Sequence, residues 1–124
     1  MSNKNDFFLK EKTKEITSSL LDGNSDMYDS IGSVHDLFSS PYNKSLVAND
    51  ETIEGLWFTL LDVFFKSKSY ENRFDAISTL SDIYFHCIRC NKKLNLNLLR
   101  EWRSENNDKS SSKEILECVD SMIL

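Results

Sequence analysis

Apolar residues recur every three to four positions along most of the chain, and the places where that rhythm breaks divide it into six segments that predict helices. The first covers Asp6 to Leu21, with Phe8 or Leu9, Ile16, Leu20 and Leu21 facing inward and "KEKTKE" solvated, and it stops at Asp22-Gly23-Asn24, a natural helix exit. A second starts near Ser25 and carries Met27, Ile31, Val34 and Phe38 on one side. It ends before Pro41, because the residue ahead of a proline avoids the helical region. Asn49-Asp50-Glu51 opens the third with a cap and negative charge at the positive end of the helix dipole. Ile53, Leu56, Trp57, Leu60, Leu61, Phe64 and Phe65 follow at helical spacing, the widest apolar surface in the chain, interrupted only by Gly55.

The fourth segment takes Asn72 with Asp75 as its capping pair and sends Phe74, Ile77, Leu80, Tyr84, Cys87 and Ile88 inward. "LNLNLLREW" reads two ways: Leu94, Leu96 and Leu98 alternate as in a strand, whereas Leu98, Leu99 and Trp102 fit a helix. With no second strand to pair with it, a turn and a short helix are expected. Ser111 and Glu114 form an S-x-x-E box ahead of Ile115, Leu116, Val119, Met122 and Ile123. The pattern predicts an all-α, single-domain bundle of about five to six helices over residues 1–124, and a chain of 124 residues is long enough to bury a core of its own.

Composition adds a compartment and removes several chemistries. No run of about 18 apolar residues occurs, and the amino terminus lacks the apolar stretch of an export signal, so the expected location is cytoplasmic. Three cysteines cannot all pair within one chain, and reduced thiols are expected. Eleven Asn and eleven Lys against two Ala and four Arg favour AT-rich codons.

"YFHCIRCNKK", Tyr84 to Lys93, is the one stretch that invites a metal or redox reading. A structural zinc site needs four ligands, and beyond His86, Cys87 and Cys90 only Cys118 and His35 remain. Thiol redox chemistry uses a C-x-x-C that opens a helix, where the dipole lowers the thiol pKa, and here the motif closes one. The plain reading is a helix end with Tyr84, Cys87 and Ile88 inside, and His86 and Arg89 outside. Two histidines in unrelated surroundings and three dispersed glycines supply neither a catalytic triad nor a phosphate loop. No catalytic residue, metal ligand or cofactor is expected.

Charge is distributed unevenly. From Asp22 to Asp62 there are eight carboxylates and one lysine, while the remainder from Val63 is nearly neutral. Asp22, Asp26, Asp29, Ser33 and Asp36 follow at intervals of three and four, which predicts one face of the second helix. Like charges at that spacing cost a few tenths of a kcal/mol per pair, so the stripe does not serve stability. It is either a solvated face or a docking surface, and in the second case Asp22, Asp26, Asp29, Asp36, Asp50, Glu51 and Glu54 are the expected contacts for a basic protein partner. Nucleic acid and membrane surfaces are poor partners for such a field. The competing reading is a helical adaptor that binds a peptide or helix in an apolar groove near Trp57, Phe58 and Phe65.

A small, acidic, helical chain without catalytic motifs, encoded by AT-rich codons, resembles the immunity proteins that neutralise bacterial toxins of the colicin and contact-dependent inhibition kinds. The resemblance is one of profile over the whole chain. It implies one-to-one binding to a toxin nuclease, with carboxylates such as Asp26, Asp29 and Asp36 standing in for substrate phosphates or covering a basic active-site rim, and inhibition by occlusion rather than by chemistry.

Overall fold

The hydrogen bonds at the helix starts explain how the helices are arranged. In the computed structural model, which describes residues 4–22, 27–40, 45–107, 109 and 111–124, these form six helices and, among the described residues, no strand. They are α1 (Lys4–Asp22), α2 (Tyr28–Ser39), α3 (Asp50–Lys66), α4 (Tyr70–Arg89), α5 (Asn97–Glu105) and α6 (Lys113–Ile123). One hydrophobic cluster runs through all six.

The Asp6 carboxylate, buried in the first turn of α1, accepts the Asn49 N–H at 2.8 Å, and the Asn49 side chain in turn accepts the Thr52 N–H at 2.8 Å. The starts of α1 and α3 are thereby tied together, and the two helices run side by side in the same direction. Asn72 does the same for the second pair: its Oδ1 accepts the Met27 N–H at 3.4 Å, just ahead of α2, which has no side-chain cap of its own. Farther along the same two helices His35 pairs with Asp82, and the Phe38 ring meets His86 edge-on. α2 and α4 are therefore parallel as well. α4 packs on α2, α3 and α6, α1 packs on α3 and α2, and α5 packs on α6. The first four helices form a ring in the order α1, α3, α4, α2, so the link from α2 to α3 must cross one end of the bundle. Val47 and Ala48 of that link are buried there.

His86 is buried for this reason, contrary to the expectation that it faces solvent: it lies under the crossing link, and its Nε2 accepts the Val47 N–H at 3.3 Å. Ile88, expected inside, is 47% exposed, and Leu21 and Phe65 also lie outside the core. The buried arc of α4 runs through Asn72, Ala76, Thr79, Leu80, Ile83, His86 and Cys87. It contains a polar line at seven-residue spacing that a count of apolar residues alone does not see.

Helix caps also move. Ser69, not Asn72, caps α4 and accepts the Asn72 N–H at 3.2 Å, which frees the Asn72 side chain for Met27. Ser112, not Ser111, caps α6 by accepting the Ile115 N–H at 3.2 Å, and Glu114 accepts the Tyr70 hydroxyl at 3.0 Å instead. α2 begins at Tyr28, and the start expected near Ser25 lies outside the described residues. "LNLNLLREW" forms a turn and α5, as expected, with the Trp102 ring 4.8 Å from that of Phe64. α4 ends at Asn91 in the left-handed conformation, φ 62°, with Asn91 N–H bound to the Ile88 carbonyl and Lys92 N–H to the Cys87 carbonyl. That pair of bonds is a Schellman closure, in which Asn tolerates the left-handed turn better than a branched residue would. "YFHCIRCNKK" is thus the end of a core helix.

Candidate functional site: an acidic groove between two parallel helices

Because α2 and α4 are parallel and in register, residues at equal steps along them face one another. Asp29 and Asp36 are seven residues apart on α2, and Asp75 and Asp82 are seven apart on α4. Each interval is roughly 10 Å along a helix axis. With Met27 held by Asn72 and His35 by Asp82, Asp29 falls level with Asp75, and Asp36 level with Asp82. The result is that Asp29, Asp36 and Asp75 share one groove, while Asp82 holds His35.

Between α2 and α4 lies a groove of about 470 Å³ lined by Tyr28, Asp29, Gly32, Ser33, His35, Asp36, Asp75, Ser78 and Thr79, with Ile31 beneath. Gly32 keeps it open: a β-carbon at this position would meet nothing within 4 Å. Glu15 of α1 adds a further carboxylate nearby by accepting the Ser30 hydroxyl at 3.3 Å. Among the described residues of the lining, His35 is the only one of a cationic type, and its Nδ1 is engaged by Asp82. Burial raises the pKa of the Asp82 carboxyl above the ordinary carboxylate value, and the neighbouring His35 and Arg89 offset only part of that rise. The site can attract and orient cations.

The seven carboxylates expected to act together are divided among several places. Asp29 and Asp36 are exposed on the groove. Asp22 is the last residue of α1 rather than part of α2, because the first helix continues through it, and Asp26 lies outside the described residues. The single stripe on the second helix is corrected accordingly. Asp50 and Glu54 stand at the other end of the bundle, at the start of α3, where Lys92 reaches them at 3.5 and 2.9 Å. The Lys92 side chain is only 9% exposed, so this pair is an internal clasp between the end of α4 and the start of α3. Glu51 lines a different groove, between α1 and α3. Of the apolar surface considered at Trp57, Phe58 and Phe65, Trp57 is buried at 2% exposure, and Phe58 and Phe65 remain accessible. Asp75, Asp82, His35 and Gly32 were not marked by the charge count, although the repeated seven-residue interval in α4 matches that in α2.

The thiols are all free. Burial pushes Cys87 up to about 11 and raises Cys118, where Glu117, Asp82 and Glu114 add to the effect. Raised thiols are poor nucleophiles at neutral pH. His86 is depressed by burial and by the charge of Arg89, and with Nε2 accepting from Val47 its ring proton sits on Nδ1, which has no partner among the described residues. Among the described residues no three of His, Cys, Asp and Glu are grouped to hold a metal ion, and no helix is long and apolar enough to cross a membrane. Comparison with protein-family models, with curated proteins and with solved structures gave no match.

Proposed function

We propose that this protein is a non-catalytic inhibitor that binds a basic protein partner, with the α2–α4 groove receiving the partner's cationic side chains as an immunity protein covers the active-site rim of a toxin nuclease. The observation that carries this reading is the groove in which Asp29 and Asp36 of α2 share a lining with Asp75 of α4, beside open space at Gly32. Like charges gathered on one folded surface oppose folding slightly, and a partner bearing complementary charge removes that cost on binding. An arginine or lysine entering the groove meets carboxylates on two walls and hydroxyls of Ser33, Ser78 and Thr79 between them. Inhibition follows from covering the partner's basic surface. No bond is made or broken.

Such binding is steered by charge, so its association rate falls with salt as the screening length contracts from about 10 Å at 0.1 M to roughly 4 Å at 0.5 M. The test compares the native protein with the D29N/D36N variant, each immobilised in cytosol at low salt and at about 0.5 M salt. Captured proteins are identified by mass, purified, and assayed for one-to-one binding and loss of activity. The reading expects a basic protein held by the native chain, released by salt and weakened at least about tenfold by D29N/D36N, the scale of two lost charge contacts. Capture indifferent to both salt and D29N/D36N removes the groove as the interface.

A further inference from the structure

The chain enters α3 through residues 45–49, and two backbone N–H groups of this stretch are accepted by buried side chains rather than by carbonyl oxygens. Asn49 N–H meets the Asp6 carboxylate at 2.8 Å, and Val47 N–H meets Nε2 of His86 at 3.3 Å. Val47 and Ala48 are themselves buried. Of the groups around the His86 ring, α2 presents Phe38, edge-on at 5.4 Å, which does not titrate. α4 itself presents Cys90, with Sγ 4.0 Å from Nε2, and the charge of Arg89. Farther out stand Asp6 of α1, Asp50 and Glu54 of α3 in the grip of Lys92, and, one turn back on α4, Asp82 engaged by His35.

We propose that residues 45–48 form a strap, hinged at Asn49 and latched by the neutral His86 ring, and that protonation of His86 releases the strap while the six helices stay packed. The latch is a single lone pair. With Nε2 accepting from Val47, the ring proton sits on Nδ1, which is buried and has no partner among the described residues. A second proton can go only to Nε2, where it confronts an N–H already aimed at that atom, so two donors face each other and the bond is lost. The cation so formed also lies out of water with no carboxylate bonded to it among the described residues, a costly condition for a buried charge. Lifting the strap relieves both, because water then reaches the ring and the Val47 N–H. Burial and the charge of Arg89 hold the ring below its ordinary pKa while the strap is closed, so proton uptake at mildly acid pH favours the open form. Asn49 stays behind, since Asp6 binds its N–H and its own side chain caps α3 at Thr52. Movement is therefore confined to the residues ahead of it.

Amide hydrogen exchange on the full chain at about pH 7.5 and about pH 5.5, with a urea series at each, reads the proposal directly. Measured against the intrinsic rate at each pH, protection of the Val47 N–H should fall by about three- to tenfold at the lower value, the range that linkage allows for an imidazole of ordinary pKa in the open form. Its exchange should hardly respond to dilute urea, because local opening exposes little surface, whereas amides within α3 should follow the slope of global unfolding. His86→Gln offers an acceptor that does not titrate, and there the protection of Val47 should be equal at both pH values. The chain has two histidines, so a native-like difference in His35→Gln assigns the effect to His86 even where His86→Gln does not fold. Equal protection of Val47 at both pH values in the native chain, a Val47 urea slope matching that of α3, or loss of the difference in His35→Gln overturns the strap.

Discussion

Gly32→Lys tests the acidic groove without removing any of its carboxylates, and it is expected to move stability and binding in opposite directions. Position 32 lies in the interior of α2, three residues after Asp29 and four before Asp36, and faces open space. Replacing an interior helical glycine with lysine recovers most of the glycine penalty, about 0.7 kcal/mol. The introduced ammonium gains two intrahelical contacts with opposite charge, about 0.2–0.5 kcal/mol each. The sum is about 1.1 to 1.7 kcal/mol of added stability. For 124 residues the unfolding entropy is about 0.26 kcal/mol/K, so the midpoint should rise by about 4–7 °C, measured by thermal circular dichroism at low salt. In the same variant a cation occupies the floor of the groove, and capture of a basic partner should be lost. A fall in stability would show that the space above Gly32 is not open. A stabilised protein that still captured its partner with the native salt dependence would refute the groove as the binding surface.

Further expectations concern the framework that holds the groove. Ser112→Ala should lower stability by about 1 kcal/mol and Ser111→Ala should be near neutral, because only Ser112 caps α6; chemical denaturation distinguishes them. Asn91→Ala should cost about 1 kcal/mol at its positive φ while Asn91→Gly stays within a few tenths of the native value, read in the same assay. The guanidinium of Arg103 grips Asp120 through Nε at 2.8 Å and Nη2 at 3.3 Å, and a double-mutant cycle should return about 1 kcal/mol of coupling between α5 and α6, diminished by salt. Because His86 titrates below its ordinary value of 6.5 in the folded chain, the unfolded chain takes the proton first. Stability should therefore be full above about pH 7 and decline as pH falls through 6.5 toward the folded pKa. Urea titrations at pH 7.5 and 5.5 check this, and His86→Gln should flatten the difference; an equally steep decline in that variant would place its origin elsewhere.

How much of this was legible in the sequence depended on which side chains fill each buried face. α3 was read almost completely, because Ile53, Leu56, Trp57, Leu60, Leu61 and Phe64 are apolar and all buried. α4 was read with its face turned, because Asn72, Thr79 and His86 occupy buried positions that a hydrophobic count leaves blank. The caps slipped by one to three residues, since Ser69, Asn72, Ser111 and Ser112 are equally able to cap and only backbone geometry decides among them. The acidic groove was half visible. Asp29 and Asp36 lie in the charge-rich half, whereas Asp75 and Asp82 sit among enough basic residues that net charge concealed them. Their pairing needed the knowledge that α2 and α4 are parallel, which follows from contacts 45 to 48 residues apart.

Two heptad lines on α4 connect the fold to the groove. The inner line, Asn72, Thr79 and His86, is buried, and its two ends bind backbone N–H groups at Met27 and Val47. Those bonds are directional, and hydrophobic packing is not: sliding α2 along α4 by one turn would keep apolar surface covered but would strand the Met27 N–H, at about 1–3 kcal/mol. The second line, Asp75 and Asp82, lies three residues after Asn72 and Thr79 and is carried on the same turns. Fixing the inner line therefore fixes where Asp75 and Asp82 meet Asp29 and Asp36. Like charges on the two walls do not set this register themselves, and His35 with Asp82 adds a further link between the helices. On this argument Asn72→Leu, which preserves burial and removes the hydrogen bond, should loosen the carboxylate register more than it lowers overall stability. Binding of the basic partner should weaken accordingly at ordinary temperature, well below the thermal midpoint.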